Sequence, residues 1–157
     1  MSMLDEDMRR VVDTQRLGYV ASVCPDGTPN LSPKGTVAVW DADHLVFAHL
    51  HSPGTVANID AGNAVVEINV VDPILRKGYR FKGPATVHRA GPTFEKALRF
   101  YFDRSGLDPQ RIAAIVLVEV QRAEPVTSPA YDDGSAEADV EQRSLTLYGL
   151  RRTPQSN

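Results

Sequence analysis

Residues 30–63, NLSPKGTVAVWDADHLVFAHLHSPGTVANIDAGN, constrain the fold more than any other stretch. They read as a strand, a turn, a second strand and a short helix. Ser32, Lys34 and Thr36 recur at spacing two, so their side chains share one strand face. The second strand, Leu45 to Leu50, runs straight into Ser52-Pro53. That dipeptide is a helix start: serine offers a capping oxygen, and proline at the first helical position gives up an N–H that has no partner there anyway. Free N–H groups at a helix start attract anions, and a lysine on a neighbouring strand adds charge. The expected result is a phosphate-binding corner in a β-barrel.

The rest of the chain supplies the barrel. Leu4, Met8, Val11 and Val12 form an apolar stripe, predicting a helix over 4–16. A strand over 17–24 ends in the Pro25-Asp26-Gly27 turn. The next strand spans 30–40, and Asp41-Ala42-Asp43 turns it into a hairpin with 45–50. After the short helix, which stops at Gly62, strands are expected over 64–71 and 79–88. Pro84 lies inside the latter and cannot donate to a ladder, so it belongs at a bulge or an edge. Phe94, Ala97, Leu98, Tyr101 and Phe102 repeat at helical spacing between Gly91-Pro92 and Gly106. A sixth strand covers 113–121, residues 123–134 read as a loop, and a terminal helix over 135–150 precedes a tail. Six short strands with inserted helices suit a mainly β (α+β) domain built on an antiparallel barrel, not an alternating parallel sheet.

Composition narrows the function classes. A chain of 157 residues makes one domain, 1–157, with 135–157 as its C-terminal helix and tail. A net charge of -3 gives no overall pull towards nucleic acid or a membrane surface, so neither is expected as a partner. The N-terminus is acidic without an apolar run, and no stretch approaches a membrane span. The single cysteine, Cys24, excludes an internal disulfide and fits a cytoplasmic location. His49 and His51, two apart, could be half of a metal site, yet no third ligand stands at a matching spacing. No metal is expected, and the pair is placed instead at a pocket rim. No G-x-S-x-G or Ser-His-Asp set points to a hydrolase.

Three motifs in order, YVASVCPDGTPNLSPKGTVAV, LVFAHLHSPGTVANI and VVEINVVDPILRKGYRFKGPATV, resemble the pyridoxamine 5′-phosphate oxidase-like family over roughly residues 4–125. The resemblance implies a six-stranded antiparallel split β-barrel with flanking helices. It also implies a homodimer with FMN as cofactor, each flavin site lined by both subunits, acting on a small-molecule substrate. Ser32, Lys34, Gly35 and Thr36 match a segment that runs beside the flavin in such proteins. Ser52, Thr55 and Asn58 match the strand-to-helix corner near the FMN phosphate. The oxidases carry an Arg-Lys pair there, where this chain has Gly54 and Thr55. Their C-terminal motif for pyridoxal phosphate is poorly matched by Leu147 to Arg152. What remains is a flavin site with fewer charges and no mark of vitamin B6 oxidation.

Individual residues read two ways. Lys34 is either a solvated strand lysine or a charge for a phosphate or ring oxygen; its place between Pro33 and Gly35 favours the site. Gly35 either lets backbone approach a ring or marks a bulge. Arg80, with Arg76, Lys77 and Lys82, is either a solvated basic face or a contact that crosses the dimer to the flavin. His49 is expected at the flavin or substrate. The leading expectation is a flavin-dependent oxidoreductase; the others are a non-catalytic flavin-binding sensor or carrier and a deazaflavin-dependent reductase.

Overall fold

The computed structural model describes residues 2–152. Four α-helices flank a single curled sheet: α1 (Glu6–Gln15), α2 (Pro53–Asp60), α3 (Pro92–Ser105) and α4 (Glu137–Leu147). The strands are β1 (Gly18–Val23), β2 (Pro29–Lys34), β3 (Ala38–Val39), β4 (His44–His49), β5 (Val65–Asp72), β6 (Lys77–His88), β7 (Ala114–Glu119) and β8 (Arg122–Thr127). They pair antiparallel in the order β2-β1-β5-β6-β7-β4-β3, with β8 added to β6. No helix among the described residues is long and apolar enough to cross a membrane.

The sheet has to curl, and the chain itself shows why. β2 and β3 stand at opposite ends of the strand order, yet only residues 35–37 join them. Four Cα steps span at most about 14 Å. Seven strands laid flat would put the two ends roughly 29 Å apart. Closure into a barrel removes the difference. Thr36 clamps the seam: its hydroxyl donates to the Ala48 carbonyl at 3.2 Å and accepts from the Ala48 N–H at 3.0 Å. Tyr101 on α3 donates its hydroxyl to the Thr36 carbonyl at 2.8 Å.

Eight strands stand where six were expected. The stretch over 30–40 divides at Gly35, because its two halves pair with different neighbours, β1 and β4. The expected loop over 123–134 overlaps β8, whose sequence RAEPVT hides a strand: it has one neighbour only, so Pro125 sits on an edge without breaking a ladder. Pro84 lies where one edge of β6 changes partner, between β8, which ends opposite Lys82, and β7, which begins opposite Ala85. The close crossing at this point requires Gly83, since a Cβ there would lie 1.7 Å from the Glu119 carbonyl oxygen.

Two cores follow from strand alternation. Val20, Leu45, Phe47, Ile68, Phe81 and Val116 fill the barrel and are fully buried. On the other face of β4 and β7, Val46, Ala48 and Ile115 pack against Ala97 and Tyr101 of α3. Burying each such aliphatic side chain contributes about 1.5–3 kcal/mol. The outer face of β1, β2 and β5 is different: Tyr19, Val23, Leu31 and Val65 are largely exposed, Leu31 to 65%. The predicted terminal helix is present as α4; the end of the expected tail, 153–157, lies outside the described residues.

Candidate functional site

The inward face of β2 carries Asn30, Ser32 and Lys34, as spacing two dictates. Register places Ser22 of β1 directly opposite Asn30. Over this end of the barrel lies α2 with Thr55 and Asn58 buried beneath it. The result is a polar lining inside an otherwise apolar barrel. Asn58 donates from Nδ2 to Ser22 Oγ at 2.9 Å, and Asn30 Nδ2 reaches the same oxygen at 3.1 Å. Asn30 Nδ2 also lies 3.4 Å from Thr55 Oγ1. A second string runs from Lys34 Nζ to Ser32 Oγ at 2.9 Å and from Ser32 Oγ to Ser52 Oγ at 3.0 Å.

Lys34 is the unusual member. It is 6% exposed, and the Ser32 hydroxyl is its hydrogen-bond partner. Among the described residues no carboxylate forms an ion pair with it. Its Nζ stands 5.9 Å from the centroid of the Phe47 ring. Burial lowers its pKa from the ordinary lysine value. An ammonium has three N–H donors, so this one retains capacity for an acceptor or an anion.

His49 stands two residues after Phe47 and therefore on the same face of β4. Its Nδ1 is buried and has no hydrogen-bond partner, the one such side-chain atom among the described residues. Burial pushes its pKa below the usual histidine value, and the charges of Lys34, Arg89 and His51 push the same way against Asp60. Arg89 itself is paired to Asp60 at 2.6 Å. Cations thus prevail around this end of the barrel.

Other expected residues fall differently. Ser52 does not cap α2; at φ -176 and ψ 69 its hydroxyl turns to Ser32, and no side chain caps the helix. Thr55 lies fully buried against Asn30, so its hydroxyl faces the lining and not the open end of α2. Pro53 and Gly54 are the exposed residues of that first turn. Gly35 has open space where a Cβ would stand, so no neighbour of this chain demands a glycine there. The Thr36 hydroxyl both donates to and accepts from the Ala48 backbone. β4 ends at His49, and His51 lies exposed beyond it, so the two do not share a strand face. No group of three metal-binding side chains occurs among the described residues.

Arg80 is on the outer face, 3.9 Å from Glu67 and 3.7 Å from Glu124. Its register runs through Asn69 to Tyr19, which ties it to the exposed apolar face and not to the corner of its own chain. Lys82 pairs with Glu67 at 2.9 Å beside it, and Lys77 pairs with Glu137. Ser22 and Asn30 were missed in the sequence. Asn30 had a signal, since it extends the 32, 34, 36 series by one step; Ser22 had none without the β1–β2 register.

Known proteins bear on the same residues. The sequence profile of the family described as pyridoxamine 5′-phosphate oxidase matches residues 4–125. The crystal structure of Group A Streptococcus HupZ matches with a TM-score of 0.71 and 29% identity, over 80% of this chain and 96% of that one. An F420 reductase matches with a TM-score of 0.59 and 25% identity, over 76% of this chain and 98% of that one. An FMN-binding protein from Syntrophomonas wolfei matches with a TM-score of 0.65, over 80% of this chain and 87% of that one; at 13% identity the likeness is one of fold. No curated protein matches the chain.

Proposed function

The chain belongs to the pyridoxamine 5′-phosphate oxidase family, and on that premise we propose that it is an FMN-binding oxidoreductase working as a homodimer on a small molecule. One observation carries the proposal: Lys34 is a buried cation with a single hydroxyl partner, at the corner where the chain resembles flavin proteins. A buried charge costs several kcal/mol unless something compensates it. A ligand oxygen or phosphate would supply that compensation. The orphaned His49 Nδ1 fits the same conclusion, since no described residue provides it with a hydrogen-bond partner.

In this reading Ser32, Lys34, Gly35 and His49 contact the flavin, while Ser52 and the first turn of α2 bound its phosphate end and Asn58 supports them from the buried lining. Thr36 acts through the seam that holds Lys34 in place, and Thr55 through the buried lining. Arg80 reaches the flavin of the second subunit across the exposed face of Tyr19, Leu31 and Val65. The bound flavin supplies hydride and electron transfer. The protein binds and orients it, and the apolar barrel below Lys34 keeps water from its edge.

A deazaflavin has a specific claim as the alternative cofactor, because an F420 reductase is among the similar structures and the corner lacks the Arg-Lys pair of the oxidases. Purified protein is titrated with FMN and with F420, and the loaded form is then treated with NADH and NADPH. Tight FMN binding and reduction by either donor support the oxidoreductase. Binding without reduction or turnover by any donor assigns a carrier or sensor. Preference for F420 assigns the deazaflavin enzyme.

A further inference from the structure

We propose that His49 reads the imide edge of the bound ring: its Nδ1 accepts a hydrogen bond from the imide N–H, while Lys34 donates to the carbonyl beside it. The inference rests on the flavin reading above and deepens it. It holds for FMN and deazaflavin alike, because both present an N–H between two carbonyls.

Phe47 and His49 share one face of β4, and Lys34 Nζ stands over the Phe47 ring. Lys34 is a donor only, with capacity left after its bond to Ser32. His49 has a buried Nδ1 that no group of the chain satisfies. Leaving such an atom unpaired is costly, so its partner belongs to a ligand. Four charged or titratable groups act on this ring: Lys34 from β2, His51 just beyond β4, Arg89 just beyond β6 and Asp60 on α2. Cations outnumber the one carboxylate, and burial acts with them to keep the imidazole neutral. In the neutral ring the proton is best placed on Nε2, leaving the buried Nδ1 with a free lone pair. A free donor on Lys34 and a free acceptor on His49, at the end of the barrel where the Lys34 charge acts on the imidazole, match a ligand edge that alternates carbonyl and N–H. A phosphate, which presents acceptors alone at this pH, would leave Nδ1 unpaired.

The probes are riboflavin, which has the imide but no phosphate, and 3-methylriboflavin, whose imide N–H is blocked. Riboflavin also removes the titration of the phosphate from the pH profile. The native protein is expected to bind riboflavin roughly three- to tenfold tighter than 3-methylriboflavin, the worth of one neutral hydrogen bond. His49→Ala should abolish that preference. His49→Asn, which keeps an acceptor near the Nδ1 position, should preserve it. Riboflavin affinity of the native protein should also fall as the pH drops below the ordinary histidine value of 6.5, because a protonated Nδ1 cannot accept. The Asn variant should lack that fall, and any slope due to His51, which it retains, would persist in it. If His49→Ala does not fold, the Asn variant decides. Equal binding of both probes by the native protein, or an Asn variant with the native pH profile, overturns the inference while flavin binding stands. A native protein that binds none of riboflavin, FMN and F420 overturns this inference and the flavin reading together.

Discussion

Replacing Lys34 by methionine should weaken flavin binding and strengthen the empty fold at once. Methionine has a similar reach and fills the same space beside Phe47 without a charge. The ammonium lost is 6% exposed and has Ser32 as its hydrogen-bond partner. In the bound state it would make a charge-assisted contact, worth about 1.5–3 kcal/mol, so affinity should drop roughly ten- to 150-fold. In the ligand-free state the same group carries a desolvation penalty, and its removal should add about 1–3 kcal/mol to the unfolding free energy. The pH dependence has a definite sign. Burial lowers the Lys34 pKa in the fold, while the unfolded chain keeps a value near 10.5. Between those two values the unfolded chain binds more protons, so native stability rises with pH across that window. Lys34→Met has no such group, so its advantage should be largest near neutrality and shrink as pH approaches 10.5. Urea unfolding of both proteins along a pH series, with flavin titration by fluorescence, measures each part. A Met variant that is less stable than the native chain and binds FMN equally well would refute the reasoning.

Further outcomes follow from the same structure. Gly54→Arg should tighten FMN binding several-fold and leave riboflavin unchanged, because it restores a charge at the exposed turn of α2 where the buried Thr55 cannot carry one; parallel titrations decide it. Leu31→Glu should convert a dimer into folded monomers, since Leu31 is 65% exposed on the apolar face and an obligate interface of about 2,000 Å² does not tolerate a buried carboxylate; light scattering with circular dichroism reads both parts. Gly83→Ala should destabilise the chain by about 4 kcal/mol or more, as its Cβ would meet the Glu119 carbonyl oxygen at 1.7 Å; denaturant unfolding measures it.

The barrel was legible because its strands alternate and its turns carry the right residues. The inward pairing of Ser32 and Lys34 was legible for the same reason, since strand periodicity alone fixes which side chains share a face. The division of that strand was not, because the break at Gly35 depends on which neighbours the two halves find. β8 escaped notice because an edge strand needs no apolar alternation and accepts Pro125. Ser52 looks like a helix cap in sequence, yet Ser32 on a distant strand takes its hydroxyl instead. Ser22 and Asn58 meet across 36 positions, a contact that only the closed barrel creates. The isolation of Lys34 is likewise a property of the packed state, for nothing in SPKGT says that no carboxylate will face it.

The central claim is that this corner holds a flavin through Lys34. The most direct measurement is the mass and absorption spectrum of the small molecule released from natively purified protein, native and Lys34→Met side by side. The native protein should release FMN, and the Met variant markedly less of it from an equally folded preparation. A colourless native protein that takes up neither FMN nor F420 when either is added, or equal FMN content in both proteins, would contradict the claim.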